Sequence, residues 1–163
     1  MMLRLPRSRR GFLLALMAFV FLARPLIGQE SPQGGLTAFE NIAVGTADRN
    51  DVSRLTDAGV VSIDGARGMV VTVAGELRGR TEREGVVGVL LLPDLAFFTN
   101  LYRSRRRALW AAEFTASIAA GESGYFMSKP KYVETGFSRY RILLFNTTGA
   151  SVSANVYVYS SRN

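Results

Sequence analysis

The densest group of oxygen ligands in the chain is Asp48-Arg49-Asn50-Asp51, with Asp57 a little further on. Oxygen-rich loops of this kind can bracket calcium. The EF-hand register fails here, because Val52 stands where an Asp or Asn is required and no Gly follows. The segment therefore reads as a polar loop with an Asx turn, and no metal or cofactor is expected. The chain of 163 residues contains no histidine and no cysteine. Their absence excludes the Ser-His-Asp triad, Cys-His dyads, His-ligated zinc or copper, and disulfides. Carboxylate chemistry and Lys or Tyr bases stay open. Glycoside hydrolysis would need two acids facing one cleft. Glu113 is the single acid inside a well-patterned strand, and no partner for it is evident. The chain is not expected to be an enzyme; a small carboxylate-dependent hydrolase is the weakest of three readings.

Two further groups could bind rather than react. Arg103-Ser104-Arg105-Arg106-Arg107 could hold phosphate, a sulfated glycan or an anionic surface. As a charge run it also reads as a solvated loop. Only Tyr102 adjoins it as an aromatic, so no nucleic-acid role is expected. Tyr125, Phe126, Tyr132, Phe137, Tyr140, Tyr157 and Tyr159 concentrate towards the C-terminus. Aromatics on one sheet face can hold sugar rings, and they equally fill cores and pack on neighbours. Asn146-Thr147-Thr148 matches a glycosylation sequon, but Asn and Thr also belong in a turn at that place.

Where the chain goes is written in Ser8-Arg9-Arg10-Gly11-Phe12-Leu13-Leu14. This stretch resembles the twin-arginine export signal, Ser/Thr-Arg-Arg-x-Phe-Leu-Lys, with Leu14 in place of the usual Lys. Arg9, Arg10, Phe12 and Leu13 are the matching signal residues. Arg4, Arg7, Arg9 and Arg10 form an acid-free basic region, followed by an uncharged apolar run from Gly11 to Ala23. That run suits a signal core and falls short of the roughly 20 residues of a bilayer-spanning helix. Arg24 and Pro25 close it. The best cleavage position follows Gly28, so residues 1–28 are assigned as signal peptide, 29–35 as linker and 36–163 as the domain. No span is expected to remain after cleavage. The resemblance implies an exported protein, periplasmic or extracellular. A disulfide-free cargo agrees with a route that carries folded proteins. Beyond residue 28 the balance is 15 basic against 13 acidic residues, which leaves no domain-wide basic footprint.

The elements that must position these residues are strands. Leu36 to Val44 reads as a first strand, and Val52 and Leu55 as one short helical turn. Val60 to Ile63 and Met69 to Leu77 follow as strands, then Glu76 to Glu84 as a hairpin loop. Val86 to Leu92 is apolar on both faces, which predicts a central, fully covered strand ended by Pro93-Asp94. Leu95 to Tyr102 fits a short strand or a helical turn. Alternation over Ala108 to Ala119 puts Trp110, Phe114 and Ile118 on one face. Tyr125 to Ser128 and Lys131 to Glu134, interrupted by Pro130, read as edge strand or loop. Eight or nine short strands with little helix predict an all-β chain, a single antiparallel β-sandwich, with a jelly roll as one form open to it.

Arg139 to Asn146 and Ser151 to Tyr159 read as a hairpin around Thr147-Thr148-Gly149-Ala150. Its register puts Leu143, Phe145, Val152, Ala154, Val156 and Val158 on the core side. Tyr140, Ile142, Leu144 and Tyr157 fall on the opposite face, which becomes the expected binding or assembly surface, because large apolar groups side by side tend to be covered. The function expected is a non-catalytic exported domain that works by self-association or by binding an envelope partner. A carbohydrate-binding module using the C-terminal aromatics is the alternative. The export address carries its own test: changing Arg9 and Arg10 together to Lys should leave precursor in the cytoplasm. Undiminished export of that variant, followed by fractionation and immunoblotting, would assign the chain to the general secretion route.

Overall fold

A computed structural model describes residues 34–161. The stretch expected to be an export signal, 1–28 with Arg9, Arg10, Phe12 and Leu13, lies outside the described residues, as does most of the expected 29–35 linker. Nine strands make up the domain: β1 Gly34–Val44, β2 Thr56–Ser62, β3 Gly68–Arg78, β4 Gly85–Pro93, β5 Ala112–Ile118, β6 Gly124–Met127, β7 Lys131–Glu134, β8 Arg139–Asn146 and β9 Ser151–Ser161. A 3-10 turn at Val52–Arg54 and one helix, α1, at Ala96–Arg103 complete it. The first strand begins at Gly34, two residues before the predicted boundary. The short helical turn falls where Val52 placed it, and the undecided stretch after Asp94 is helical.

The strands form two antiparallel sheets packed face to face. The first has the order β1-β9-β3-β6, with β7 also pairing β3; the second has the order β2-β8-β4-β5. Consecutive strands mostly fall in opposite sheets, the two-Greek-key pattern of a jelly roll. Two of the predicted hairpins are therefore absent. β3 does not fold back onto β4, and β8 does not pair with β9. Instead β8 lies between β2 and β4, with Leu143 opposite Asp57 and Leu90, while β9 lies between β1 and β3. An alternating strand, a polar turn and a second alternating strand look the same in sequence whether the chain returns in its own sheet or crosses to the facing one.

What makes the crossing is Asn146, which is fully buried together with Thr148. Its side-chain Oδ1 accepts from the Thr148 amide at 3.0 Å and the Thr148 hydroxyl at 2.7 Å, and its Nδ2 donates to the Ala150 carbonyl at 2.7 Å. Its backbone pairs with Ala47 on both sides. The Thr147 amide donates to the Val86 carbonyl at 2.9 Å, and the Thr147 hydroxyl accepts from the Val86 amide at 2.9 Å. The sequon is thus a buried corner, and Asn146 presents no amide to solvent.

The main core lies between the sheets. Met69, Val71 and Val73 of β3 and Val152, Ala154, Val156 and Val158 of β9 face Val87, Val89 and Leu91 of β4, Ile142 and Leu144 of β8, and Phe114, Ala116 and Ile118 of β5. The predicted inward face of β5 is correct at Phe114 and Ile118. Trp110 precedes the strand and packs elsewhere, because β5 starts at Ala112. A second, smaller apolar cluster covers the outside of the second sheet. Leu90, Leu92, Leu143 and Phe145 are roofed there by Leu55, Ala108, Val52, Phe98, Tyr102 and Trp110. β4 is buried on both faces, as its sequence requires. Gly88 is needed beneath this layer, since a Cβ there would collide with the Phe145 ring.

The corner can be tested directly. Asn146→Ala leaves the Thr148 amide and hydroxyl and the Ala150 carbonyl without their buried partner. It should cost about 3 kcal/mol, from roughly 1–3 kcal/mol for each unsatisfied group with partial relaxation. Urea melts followed by circular dichroism would measure it, and a loss below about 1 kcal/mol would mean the corner is held by the flanking ladders instead.

Candidate functional site

The outer faces of the two sheets differ. The second sheet carries its own roof, held by charge as well as by apolar contact. Arg141 of β8 donates to Asp57 Oδ2 at 2.7 Å and to Asp94 Oδ1 at 3.3 Å, while Arg139 reaches Asp94 Oδ2 at 3.2 Å. The Thr99 hydroxyl of α1 also donates to Asp94, at 3.4 Å. This ties β2, β8 and the start of α1 together. Burial is the largest influence on Arg141 and works against its charge. The hydrogen bonds and charges of Asp57 and Asp94 outweigh it and hold the guanidinium pKa above its ordinary value. The neighbouring Tyr102 hydroxyl is pushed up, first by burial and then by the charge of Asp57, with Arg141 opposing. Arg141 is thereby a fixed cation, held by two carboxylates through its two terminal nitrogens, while its buried Nε has no partner among the described residues.

Among the described residues the first sheet has no such roof. Its outward positions are the odd residues of β9 and the even residues of β3, and pairing aligns them in rows. Leu36 lies opposite Tyr159, Tyr159 opposite Val70, and Val70 opposite Tyr132, so one apolar row crosses β1, β9, β3 and β7. The next row carries Ala38, Tyr157 and Thr72, and those after it Asn155, Ala74 and Met127, then Ser153, Glu76 and Tyr125. Leu36 is 67% exposed, Tyr125 87%, Met127 69% and Tyr132 56%. The Tyr132 ring lies over Gly68, where a Cβ would strike it, so the missing side chain lets the ring rest against the sheet. Towards the far end, Asn41, Ala74, Gly75, Tyr125, Met127 and Asn155 border an open groove of about 360 Å³.

Of the four residues expected to share a binding face, only Tyr157 is on this surface. Tyr140, Ile142 and Leu144 are buried in the main core. The correction follows from the crossing at Asn146: without a β8–β9 hairpin, the faces of β8 and β9 are not shared. The informative sign was in the alternation itself. Arg139 and Arg141 have the same parity as Leu143 and Phe145, which marks that face as the outer one, covered by the roof. Tyr140 serves the core and its edge; its hydroxyl accepts from the amides of Gly136 at 3.1 Å and Phe137 at 3.2 Å. Among the C-terminal aromatics, Tyr125, Tyr132, Tyr157 and Tyr159 face outward, and Phe126 and Phe137 pack against the core.

The acids singled out in the sequence are engaged locally. The Asp48 Oδ1 accepts from the Asn50 amide at 2.9 Å, the expected Asx turn, and Asp51 accepts from the Ser53 hydroxyl at 2.8 Å. Asp57 is held by Arg141. Glu113 receives both its contacts from one guanidinium nitrogen of Arg49, at 3.0 and 3.2 Å. Asp48, Glu84 and Glu113 border one open cleft of about 520 Å³ together with Arg49 and Arg83, while Asp57 and Asp94 converge on Arg141. The arginines of 103–107 are all exposed.

No family model matches the chain, and no curated protein matches it. Among solved structures it is similar to a chain from the disulfide-linked pili of Bacillus endospore appendages, with 11% identity over 80% of this chain and 92% of that one, at a TM-score of 0.34. This chain has no cysteine with which to form the linkage named for those pili.

Proposed function

We propose that this chain is an exported, non-catalytic jelly-roll domain that self-associates through the bare outer face of its β1-β9-β3-β6/β7 sheet. The observation that carries the reading is the in-register apolar row Leu36–Tyr159–Val70–Tyr132, continued by Tyr157, Met127 and Tyr125 on adjoining rows. A chain that roofs one sheet with its own helix and leaves the other with contiguous tyrosines exposes a patch of the kind that marks interaction sites. A flat sheet face offers a second copy large, stiff contact area at low entropic cost, since a tyrosine has few rotatable bonds and these are already restrained by their cross-strand neighbours. Export rests on the twin-arginine stretch. The non-catalytic reading is supported by the missing histidine and cysteine and by the engagement of Glu113 with Arg49 and of Asp48 in an Asx turn within the cleft they share with Glu84.

A glycan ligand is the second reading, favoured by one observation: four outward tyrosines lie on a single exposed sheet face. Sugar rings stack on such surfaces, and the polar edge supplied by Asn155, Ser153 and Glu76 could receive hydroxyl groups.

The two readings separate in solution. Sedimentation velocity of the purified protein should show concentration-dependent association, which Tyr132→Asp and Tyr159→Asp should each weaken at least tenfold. Because both side chains are exposed, urea midpoints should stay within about 1 kcal/mol of the parent. A protein that stays monomeric at all concentrations and binds on a glycan array through the same tyrosines would replace self-association by the second reading. A monomer that binds no glycan would remove both.

A further inference from the structure

We propose that the far side of the molecule, the α1 turn and the arginine loop after it, is a docking patch for an anionic lipid surface. α1 buries Phe98, Thr99 and Tyr102 towards the roof, and leaves Phe97 64% and the preceding Leu95 48% exposed. Phe97 and Leu101 are one turn apart and share a stripe of the helix. The chain then leaves the helix through Ser104 and turns at Arg105, whose φ of 56° is left-handed. Arg103, Arg105, Arg106 and Arg107 fan out from this turn into solvent.

These four arginines stand together within five residues, unlike the paired cations of the domain. Arg49, Arg54, Arg139 and Arg141 each have a carboxylate within 4 Å. The Arg105 amide donates to the Tyr102 carbonyl at 2.8 Å, but none of the four guanidinium groups makes a hydrogen bond or ion pair with any described residue. Residues 34–161 carry 14 Lys and Arg against 12 Asp and Glu, and without this loop the balance would be −2. Four of the fourteen cations are thus concentrated in five consecutive residues. Arg106 and Arg107 also border an open cavity of about 380 Å³, walled by Val52, Leu109 and Trp110 and closed by Asn50. That gives a headgroup-sized recess with cations at its rim and apolar side chains behind them.

Charge alone would suit any polyanion. The exposed Phe97 and Leu95 decide between partners. A nucleic acid or sulfated chain would satisfy the arginines and leave these two side chains in water. A lipid surface takes both: headgroup phosphates meet the guanidinium groups, and the aromatic ring and leucine enter the acyl boundary just beneath. The surface is separate from the tyrosine face of the other sheet, and its test does not depend on self-association.

Trp110 is the only tryptophan of the chain, and it lines the recess, so its emission reports this patch whatever other segments do. The full chain would be mixed with vesicles of phosphatidylcholine alone, or containing about a third phosphatidylglycerol, each with brominated acyl chains. Trp110 should be quenched by the anionic vesicles and not by the neutral ones, and rising salt should reverse it. Changing Arg103, Arg105, Arg106 and Arg107 together to Gln should weaken the partitioning reported by Trp110 about a hundredfold or more, the expectation for four basic residues near an anionic surface. Phe97→Ser, a milder exposed change, should reduce quenching severalfold while retaining its salt sensitivity. Equal quenching by neutral vesicles, or an unchanged quadruple variant with native circular dichroism, would overturn the proposal. So would an absence of quenching by anionic vesicles while heparin or an oligonucleotide shifts Trp110 emission, which would assign the loop to a soluble polyanion.

Discussion

The hydrogen bonds of one buried amide decide how this chain is folded. Asn146 sits where β8 ends, and its side chain is committed in three directions, to the Thr148 amide, the Thr148 hydroxyl and the Ala150 carbonyl. A buried amide left unpaired is costly, so the corner has one good conformation. That conformation sends the chain across to the facing sheet. As a result β8 occupies a central place in one sheet and β9 a central place in the other, and the remaining strands of each sheet assemble around them. Had the same residues closed a hairpin, Tyr140, Ile142 and Leu144 would have needed an outside partner. With the crossing made, they are interior.

What sequence could convey was parity and burial; what it could not convey was which sheet a strand joins. Alternation located β5 and β9 with most of their inward residues, Met69 to Leu77 was legible as a strand without a face, and the unbroken apolar run of Val86 to Leu92 identified a strand covered on both faces. The all-β sandwich followed from strand number and spacing. The face formed by Tyr140, Ile142, Leu144 and Tyr157 did not survive, because it assumed that neighbours in sequence pair in space. In a jelly roll most connections break that assumption. The roof was equally hard to foresee. α1 is short, Leu95 to Tyr102 has no clean period, and the reason for a helix there is the apolar outer face of β4 and β8 that it covers. Only the shared parity of Arg139, Arg141, Leu143 and Phe145 hinted that this face was the outside.

The two sheets consequently have opposite economies of exposure. One is sealed by Phe98, Tyr102, Trp110 and Leu55, with Arg141 locked between Asp57 and Asp94 beneath. The other shows water its tyrosines. The molecule is therefore polar in arrangement though nearly balanced in charge. Aromatic surface lies on one side, and unpaired positive charge gathers at the turn behind the roof. A domain with two unlike surfaces on opposite sheets can engage two partners at once without competition between them.

The pairing of β1 with β9 bears on when this protein can exist as a folded body. Gly35 and Ser160 are 125 residues apart in sequence and adjacent in the sheet. Strand β1 has no other partner in its sheet, and β3 gains its main neighbour only from β9. A nascent chain emerging from the ribosome can form the β4–β5 pair early, yet it cannot complete the first sheet until nearly the whole domain has been synthesised. Such long-range pairing also makes for slow folding, since the loop-closure entropy is lost before the contacts compensate for it. Any transport route that threads an unfolded chain would meet a polypeptide with no early folded unit to protect, whereas a route that waits for the finished sandwich would have to wait for β9. Completion of the sandwich thus waits on the docking of β9, a delay set by topology rather than by any single side chain.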